Sequence, residues 1–448
     1  MARPKPLSGF PEFLPAQSAI ELAVQESLRH TFALHGFARV ETRAVEPLEQ
    51  LARKGEITKE VYTVQRLHAA EDDTAELGLH YDLTVPFARY VLENSGHLVF
   101  PFRRYQIQKA WRGERPQEGR YREFCQADID IVGQDTLPTH HDVEVVLVAL
   151  EALERLHTEL GLPPVLMRVN NRKLAQGFYS GLGVEDPLAV IQRVDKLDKI
   201  GRDGVTALLV DDLGLGAEQV EAVLALAGIQ TPDDSFGDQV RSLGVANDLL
   251  ETGITELADL VTQVSAQFPG RIVADLRIAR GLDYYTGTVF ETELVGWESL
   301  GSISAGGRYD SLASDGKVTF PGVGVSIGVT RILAPLLARQ ALSASRSVPS
   351  AVLVAVTDED ERPTAMAVAA ALRARDIPCE VASKADKFGK QIRQADRRGI
   401  PYVWFGGLTG EVKDIRSGEQ VSAEASSWQP PAEDHWQRVL PAAGAAQS

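Results

Sequence analysis

A charged turn between two strand-like stretches, within residues 98–133, carries the side chains best suited to bind phosphate. Its sequence is WRGERPQEGRYREF. Its charged residues include Arg112, Glu114, Arg115, Arg120 and Arg122. Guanidinium groups present planar pairs of N–H donors that match phosphate oxygens. The alternative is a solvated, salt-bridged hairpin that binds no ligand.

The strand after this turn alternates in a way that makes one face unusually polar. One set of positions is apolar: Cys125, Ala127, Ile129 and Ile131. The other set is Phe124, Gln126, Asp128 and Asp130. Because strand side chains alternate between faces, the first set predicts a core face and the second a polar surface with one aromatic that could stack on a base. No GxxxxGK[ST] loop occurs, so a nucleotide here would be held by arginines.

Three later stretches also combine glycines with chemically active side chains: ARGLDYYTG at 279–287, AGGRYD at 305–310 and GVGVSIGVTR at 322–331. The first places Arg280 beside an aspartate and two tyrosines, or is simply a hairpin bend. The paired glycines of the second let a ligand approach the backbone. The third matches G-x-S-x-G, but no suitable Asp…His pair follows, so Ser326 is not expected to be a nucleophile.

Periodicity predicts the elements that position these groups. Helices are expected at 17–35, 141–160 and 329–340. Strands are expected at 37–45, at 271–294, 302–305 and 323–327, and on both sides of the charged turn within 98–133. Short helical patterns fill 184–268. After a linker at 341–350, strands and helices alternate at 352–356, 363–375, 379–382, 387–398 and 402–405, which is typical of a small α/β domain. The tail from Gln429 is expected to be loose.

Composition limits the class of protein. The chain has 448 residues, 44% of them hydrophobic, and a formal net charge of −16. It contains only Cys125 and Cys379, no apolar run of membrane-spanning length and no apolar signal core at its N-terminus, so a cytoplasmic protein without a disulfide framework is expected. The negative charge argues against a general nucleic-acid binder but leaves room for a local basic face.

These stretches together resemble the class II histidyl-tRNA synthetases. RGLDYYTG and AGGRYD resemble the two signature motifs of that family, and WRGERPQEGRYREF resembles motif 2 of the class. GVGVSIGVTR is similar to motif 3, the 37–47 segment to motif 1, LHYDLTVPFARY at 79–90 to the amino-acid-binding turn, and GEVKDIRSGEQ at 410–420 to the end of the anticodon domain. The resemblance covers nearly the whole chain in the family's order.

The resemblance implies a fold and a set of domains. The expected fold is an α+β catalytic domain on a mostly antiparallel sheet, with a helical insert and a C-terminal α/β anticodon-binding domain. The catalytic domain would comprise 1–183 and 269–340. The insert would be 184–268, which in the family clamps the RNA acceptor, and 351–440 would form the anticodon-binding domain after the 341–350 linker.

The implied reaction is the activation of L-histidine by ATP to histidyl-adenylate and pyrophosphate, followed by transfer to the 3′ end of tRNA(His). Arg112 would grip the α-phosphate and the attacking carboxylate, and Arg280 would be a second catalytic cation there. Other ATP contacts implied by the motifs are Glu114 at the base edge, Arg120 on the distal phosphates, Phe124 stacked on adenine and Arg331 closing over the nucleotide. Mg²⁺ would arrive with the ATP phosphates, with no metal site built from protein side chains alone.

The substrate pocket is implied residue by residue. The resemblance puts Asp130, Tyr285 and Tyr309 around the imidazole ring. It puts Asp82, Thr84 and Gln126 at the ammonium group. Two departures stand out, because part of the family has the longer Glu at position 130 and motif 3 commonly has Glu where this chain has Thr330.

The resemblance also implies partners. Gln117 would lie near the acceptor end of tRNA(His). Lys387, Lys390, Arg397 and Arg398 belong to a basic run that could contact RNA phosphates, or could be an ordinary solvated face. A homodimer without membrane association is expected. Two rival classes remain: non-catalytic regulators with the synthetase fold, which typically lose the activating arginines or the anticodon domain, and another class II synthetase.

Overall fold

The structure is a computed structural model, and it describes residues 5–52, 59–68, 74–278, 285–314 and 316–442. The chain divides into two compact units. The first comprises 1–11, 25–159 and 163–335, and the second comprises 12–24, 160–162 and 336–448. Within the described ranges, no helix combines the length and apolarity needed to cross a membrane.

The strands of both units are short to medium in length. In chain order they are β1 (Ala38–Arg39), β2 (Val45–Pro47), β3 (Thr63–Val64), β4 (Leu77–Leu79), β5 (Phe102–Trp111), β6 (Glu123–Val132), β7 (Val165–Asn171), β8 (Gln230–Thr231), β9 (Ile272–Asp275), β10 (Tyr285–Leu294), β11 (Ser304–Ser314), β12 (Thr319–Gly328), β13 (Leu342–Ala344), β14 (Val352–Val354), β15 (Cys379–Val381), β16 (Tyr402–Gly406), β17 (Thr409–Asp414), β18 (Gln420–Glu424) and β19 (Val439–Pro441).

The α-helices range from one turn to more than five. In chain order they are α1 (Pro15–Leu34), α2 (Leu48–Leu51), α3 (Thr84–Asn94), α4 (His140–Leu160), α5 (Arg172–Gly181), α6 (Pro187–Val194), α7 (Leu197–Asp211), α8 (Ala217–Ala227), α9 (Phe236–Ser242), α10 (Asp248–Gln267), α11 (Val329–Ala338), α12 (Arg362–Arg373), α13 (Phe388–Arg398) and α14 (Ala432–His435).

A nine-stranded sheet forms the centre of the first unit, in the order β1-β5-β6-β12-β11-β10-β7-β9-β8. Among its described strand pairs, only β1–β5 and β7–β9 are parallel, so the predicted mostly antiparallel sheet is confirmed. Its central strands are ten or eleven residues long, which gives them enough length to carry a ligand site on one face and core residues on the other. On β6 the predicted core residues, including Ala127 and Ile129, are fully buried.

The predicted strand over 37–45 is wrong. Only Ala38 and Arg39 pair with β5, and β2 begins at Val45 in a separate three-stranded sheet. Between them, side chains replace most of the backbone ladder: Gln106 Nε2 donates to Thr42 Oγ1 (3.0 Å) and Gln108 Nε2 donates to the Thr42 carbonyl (3.1 Å). Alternating residue types cannot distinguish such an extended segment from a true strand.

The region predicted as a helical insert, 184–268, contains α6 to α10 and the short strand β8. Its last helix, α10, packs on α5 and on β7 of the large sheet. The packing is close, because a Cβ on Gly253 of α10 would lie 2.2 Å from the Leu174 amide nitrogen on α5. Near the middle of this region, β8 pairs with β9 and extends the same sheet.

The second unit contains a five-stranded sheet in the order β15-β14-β16-β17-β18. Its first three strands are parallel and are linked by helices α12 and α13, as the β/α alternation predicts. The segment predicted as a linker, 341–350, includes β13 and the buried Arg346. The prediction of a loose tail after Gln429 is wrong as far as residue 442, because β19 pairs with β13 there.

Candidate active site

A cavity of about 180 Å³ opens on one face of the large sheet, within the first unit. Every predicted histidine- and ATP-binding residue lines it. These residues are Asp82, Thr84, Arg112, Glu114, Arg120, Phe124, Gln126, Asp130, Tyr285, Tyr309 and Arg331. They come from stretches up to 249 positions apart, so the fold brings together side chains that are distant in the chain.

Adjacent strands bring these side chains into register, and glycines leave space between them. Asp130 on β6 lies opposite Gly324 on β12, and Tyr309 on β11 lies opposite Gly322. A Cβ on Gly324 would lie 2.1 Å from Asp130 Oδ1, and a Cβ on Gly322 would lie 2.5 Å from the Tyr309 ring. No larger residue fits at either position without moving a cavity side chain.

One end of the cavity is a buried acidic network. The Tyr309 hydroxyl donates to Asp130 Oδ1 at 2.7 Å, and Arg104 Nη2 lies 2.6 Å from Asp130 Oδ2. Arg104 is fully buried, and its guanidinium lies 4.3 Å from the centre of the Phe87 ring. This network fixes the position of the Asp130 carboxyl group before any ligand arrives.

Next to this network lie acceptors suited to an ammonium group. Gln126 Nε2 donates to Ser326 Oγ at 2.5 Å, which leaves its buried Oε1 without a hydrogen-bond partner in the described part of the chain. Asp82 Oδ1 accepts from the Val85 amide at 3.0 Å, a bond that fixes this carboxylate at the start of α3. Thr84, the first residue of α3, completes this side of the cavity.

The other end of the cavity contains the arginines. Arg112 Nε donates to the Tyr81 carbonyl at 2.9 Å, and its guanidinium lies 5.1 Å from the centre of the Phe124 ring. Arg120 lies 3.5 Å from Glu114 across the turn between β5 and β6. Arg331 Nη2 donates to the Leu300 carbonyl at 2.6 Å. The guanidinium groups are therefore oriented by protein contacts.

Thr330, one of the two departures from the family pattern, has a structural contact. Its Oγ1 accepts a hydrogen bond from the Cys125 amide at 2.8 Å, and the residue is buried. This bond ties the start of α11 to β6, and so places the neighbouring Arg331 relative to the sheet. Thr330 does not line the cavity.

The remaining predicted site residues lie elsewhere. Arg280 falls outside the residues that the structure describes. Gln117 is exposed at the tip of the β5–β6 turn, where it pairs with Arg120 through backbone hydrogen bonds, and does not line the cavity. Lys387, Lys390, Arg397 and Arg398 belong to the second unit, on or just before α13.

The basic residues of α13 differ in their contacts. Arg398 forms a two-pronged ion pair with Glu380, and Lys390 lies 3.1 Å from Asp386. Arg397 is exposed on the side of the helix opposite the buried Gln391 and Ala395. Arg397 is thus better placed than Arg398 to meet an outside anion.

Sequence reasoning singled out Asp128 only as part of the polar face and missed Arg104. Asp128 lines the cavity with 2% of its surface exposed. Burial, with help from Asp130 and Asp82, raises its pKa to about 7, although Arg104 and a hydrogen bond from Ser326 act in the opposite direction. The two-residue alternation was the available signal for Asp128. Arg104 lacked one, because nothing in β5 marks it as buried.

The arrangement favours a ligand with opposite chemistry at its two ends. Arginines at one end suit phosphate oxygens and a carboxylate, and an aromatic ring there can stack on a base. Carboxylates and an amide oxygen at the other end suit N–H donors. Among the described residues no group of three or more His, Cys, Asp or Glu side chains could hold a metal ion.

Comparisons with known proteins match two family models and a similar sequence. A family model described as histidyl-tRNA synthetase matches residues 9–332, and one described as anticodon binding domain matches residues 350–425. The chain is 66% identical to the histidine–tRNA ligase of Cutibacterium acnes over 97% of its own length and 98% of that protein.

Solved structures are similar as well. The crystal structure of histidyl-tRNA synthetase from Nostoc sp. PCC 7120 superposes with a TM-score of 0.83 at 32% identity, covering 95% of this chain and 98% of that one. A Bacillus halodurans structure titled as an ATP phosphoribosyltransferase regulatory subunit/histidyl-tRNA synthetase superposes with a TM-score of 0.71 at 18% identity, covering 87% of this chain and 96% of that one. The second likeness concerns the fold alone.

Proposed function

This chain belongs to the histidyl-tRNA synthetase family, and from that premise we propose how its residues divide the work of charging tRNA(His) with histidine. The chain is an aminoacyl-tRNA synthetase that uses ATP. The observation that carries the residue assignment is the cavity with arginines at one end and an acidic network at the other.

Activation requires the histidine carboxylate and the α-phosphate of ATP to meet in line, while charge on the phosphate oxygens is stabilised. Arg112 binds both groups, and its bond to the Tyr81 carbonyl orients it for that purpose. Phe124 stacks on adenine, Glu114 contacts the base edge and Arg120 binds the distal phosphates. Arg331 closes over the nucleotide, and Arg280 supplies a permanent second cation at the α-phosphate. Mg²⁺ comes with the ATP phosphates.

Histidine binds at the acidic end. Asp82, Thr84 and Gln126 receive the ammonium group, and Gln126 Oε1, which has no partner among the described residues, supports this role. Asp130, Tyr285 and Tyr309 surround the imidazole ring. The Tyr309–Asp130–Arg104 network is already formed before the amino acid binds. An amino acid whose side chain cannot hydrogen-bond to the polar groups of this pocket would leave them unpaired, and it is therefore rejected.

ATP–pyrophosphate exchange with single amino acids tests this function most directly. We expect exchange with histidine and none with proline, threonine or the other amino acids. A non-catalytic regulator would give no exchange with any amino acid, and another class II synthetase would respond to a different one. A catalytic function is favoured by Arg112, Arg120 and Arg331 in the cavity and by the anticodon-binding domain at 350–425.

Transfer to tRNA requires contacts beyond the cavity. We assign Gln117 to the acceptor end of tRNA(His), because it lies exposed at the tip of the turn whose base lines the cavity. Lys387 just before α13, and Lys390 and Arg397 on its exposed face, contact RNA phosphates near the anticodon, with Arg398 completing the basic surface. We place this reaction in the cytoplasm, where protein synthesis takes place.

We also propose that the protein works as a homodimer. The support is the resemblance of the 37–47 segment to the class II interface motif, together with the prevalence of two-fold symmetry among oligomers. Light scattering at micromolar concentration should give twice the mass of the 48.7 kDa chain. A monomer under these conditions would contradict the proposal.

A further inference from the structure

Two buried carboxyl groups share one arginine at the acidic end of the cavity. Asp128 and Asp130 project from the same face of β6, with 2% and 3% of their surfaces exposed. Arg104 Nη2 lies 2.6 Å from Asp130 Oδ2 but 3.8 Å from Asp128 Oδ2. One guanidinium can balance one carboxylate closely, so beyond the hydrogen bond from Ser326 the second carboxyl depends on a proton or on a ligand for its stabilisation.

The two carboxyl groups differ in how fully they are bonded. Asp130 has Tyr309 on one oxygen and Arg104 on the other. Asp128 Oδ1 is buried and has no hydrogen-bond partner in the part of the chain that the structure describes. A buried acceptor left without a donor is destabilising, and a ligand that brings a donor removes that destabilisation. The cavity beside Asp128 is where such a ligand would lie.

The position of Asp128 along β6 indicates which ligand atom it meets. Phe124, Gln126, Asp128 and Asp130 succeed one another on one face, with alternate residues about 7 Å apart. Asp128 therefore lies between Gln126, which is assigned to the ammonium group of histidine, and Asp130, which is assigned to the far side of the imidazole ring. Between those two points a bound histidine presents the ring nitrogen nearer to its α-carbon.

We propose that Asp128 is a histidine-binding, specificity-determining residue, whose Oδ1 accepts the N–H of the ring nitrogen nearer to the α-carbon, while Asp130 chiefly holds Tyr309 in place. This inference rests on the proposed histidine-activating function and deepens it. It also accounts for the short side chain at position 130. A second carboxyl two residues earlier supplies the acceptor that the longer Glu would otherwise extend toward the ring.

The test is histidine-dependent pyrophosphate exchange with Asp128→Ala and Asp128→Leu, both of which remove the acceptor. Loss of an acceptor bonded to a buried ligand donor should raise the KM for histidine about 10–100-fold, with the KM for ATP changed less than about twofold. Asp434→Asn is the control, because Asp434 is also a buried carboxyl group near an arginine but belongs to the second unit. It should leave both KM values unchanged.

A ligand comparison separates direct contact from a general disturbance of the cavity. Histidine methylated on the ring nitrogen nearer to the α-carbon cannot donate that N–H, so it should bind the wild-type protein much more weakly than histidine does. In Asp128→Ala the difference between the two ligands should shrink by at least about tenfold. An unchanged difference would show that Asp128 does not contact that nitrogen, and would overturn the inference.

Folding and function are controlled separately. If Asp128→Ala does not fold, as judged by its melting transition, the similarly sized Asp128→Leu gives the answer, since it keeps the volume and removes the acceptor. Wild-type protein without histidine-dependent exchange would refute the proposed function itself. Wild-type exchange combined with a normal histidine KM in a folded Asp128→Leu or Asp128→Ala protein would refute only the role of Asp128.

Discussion

Each compact unit contains a tyrosine–aspartate–arginine group built around a buried aspartate, and the two groups have nearly the same tyrosine–aspartate and arginine–aspartate distances. They are Tyr309, Asp130 and Arg104 in the first unit, and Tyr402, Asp434 and Arg416 in the second. The tyrosine–aspartate distances are 2.7 and 2.8 Å, and both arginine–aspartate distances are 2.6 Å. These distances alone therefore do not distinguish a ligand site from a structural contact.

What surrounds the groups differs. Beside Tyr309, Gly322 and Gly324 leave a cavity, and the arginine of that group is fully buried. Around Tyr402, the Trp428 ring fills the space at 5.3 Å, and the Arg416 side chain is 52% exposed. Hydrogen bonds from Arg416 and Tyr402, working against burial, lower the pKa of Asp434. The same three residue types can therefore bind a ligand where a cavity lies beside them, and stabilise the fold where another side chain fills that space.

The largest effect is expected for Arg280→His. Loss of a permanent cation that acts on the transition state should reduce pyrophosphate exchange by at least about 10²–10³-fold while histidine affinity changes little. The matched variant Arg416→His removes an arginine from the second unit's group and should lower the melting temperature without affecting exchange. Near-normal exchange by a well-folded Arg280→His protein would remove this arginine from the mechanism.

A closer test of the comparison replaces one tyrosine hydroxyl in each group. Tyr309→Phe leaves one Asp130 oxygen without its 2.7 Å donor and should raise the histidine KM roughly 5–30-fold. Tyr402→Phe removes an equivalent bond but should change only stability, measured as melting temperature. Equal effects of the two variants on exchange would contradict the proposal that only the group beside the cavity binds histidine.

The exposed face of α13 should respond more weakly and only when RNA is present. Arg397→Glu is expected to raise the KM for tRNA about 3–10-fold and to reduce its salt dependence, because a phosphate contact acts through ion release. Arg397→Gln should give an intermediate effect. Arg398 is a poorer target, since its reversal would also oppose Glu380. A parallel fall in exchange would contradict the assignment of this face to RNA.

The smallest effect concerns stability and pH. In the unfolded chain an aspartate titrates near pH 4, whereas the pKa of Asp128 in the free protein is raised to about 7. Between these values the unfolded chain binds fewer protons, so the free energy of unfolding falls as pH rises from about 4 to about 7. The groups facing this carboxyl are Arg104 from β5, Asp130 from β6, Asp82 from the start of α3 and Ser326 from β12.

Asp128→Asn removes that dependence. Relative to wild type, it should gain roughly 1–2 °C in melting temperature at pH 8, and this gain should disappear near pH 4. Calorimetry at both pH values without ligand measures the difference. Asp434→Asn should show the opposite trend, because the pKa of its carboxyl is lowered and the native charged form is therefore the stabilising one. A gain that does not vary with pH would mean that the side chain's charge is not responsible.

Much of the site was predictable because its residues lie in local patterns. The alternation on β6 correctly assigned Ala127 and Ile129 to the core face, and Gln126 and Asp130 to the opposite face, which lines the cavity. The sequence motifs identified the other residues that line the cavity. Two outcomes depended on tertiary contacts that no local pattern encodes. The bond between Thr330 and the Cys125 amide joins residues 205 positions apart, and Arg398 is held by Glu380 from a neighbouring strand.

The fold was likewise predictable in part. Long periodic segments such as α1 and α4 were recovered nearly to the residue, because an apolar stripe can be read directly from the sequence. The segment at 37–45 misled because its partners on β5 are side-chain amides, which residue alternation does not reveal. The order of strands, with β6 beside β12, was likewise not encoded locally.

That strand order has a consequence for the folding of the protein during its synthesis on the ribosome. Gln126 and its partner Ser326 are separated by 200 positions, so at about 5–20 residues per second roughly 10–40 s pass between their syntheses. During that interval β6 lacks its β12 neighbour, and its open edge is a place where a nascent chain can pair wrongly. A nascent chain that stops before Thr319 should therefore be captured by chaperones or aggregate, and only one that has emerged beyond α11 should bind histidine.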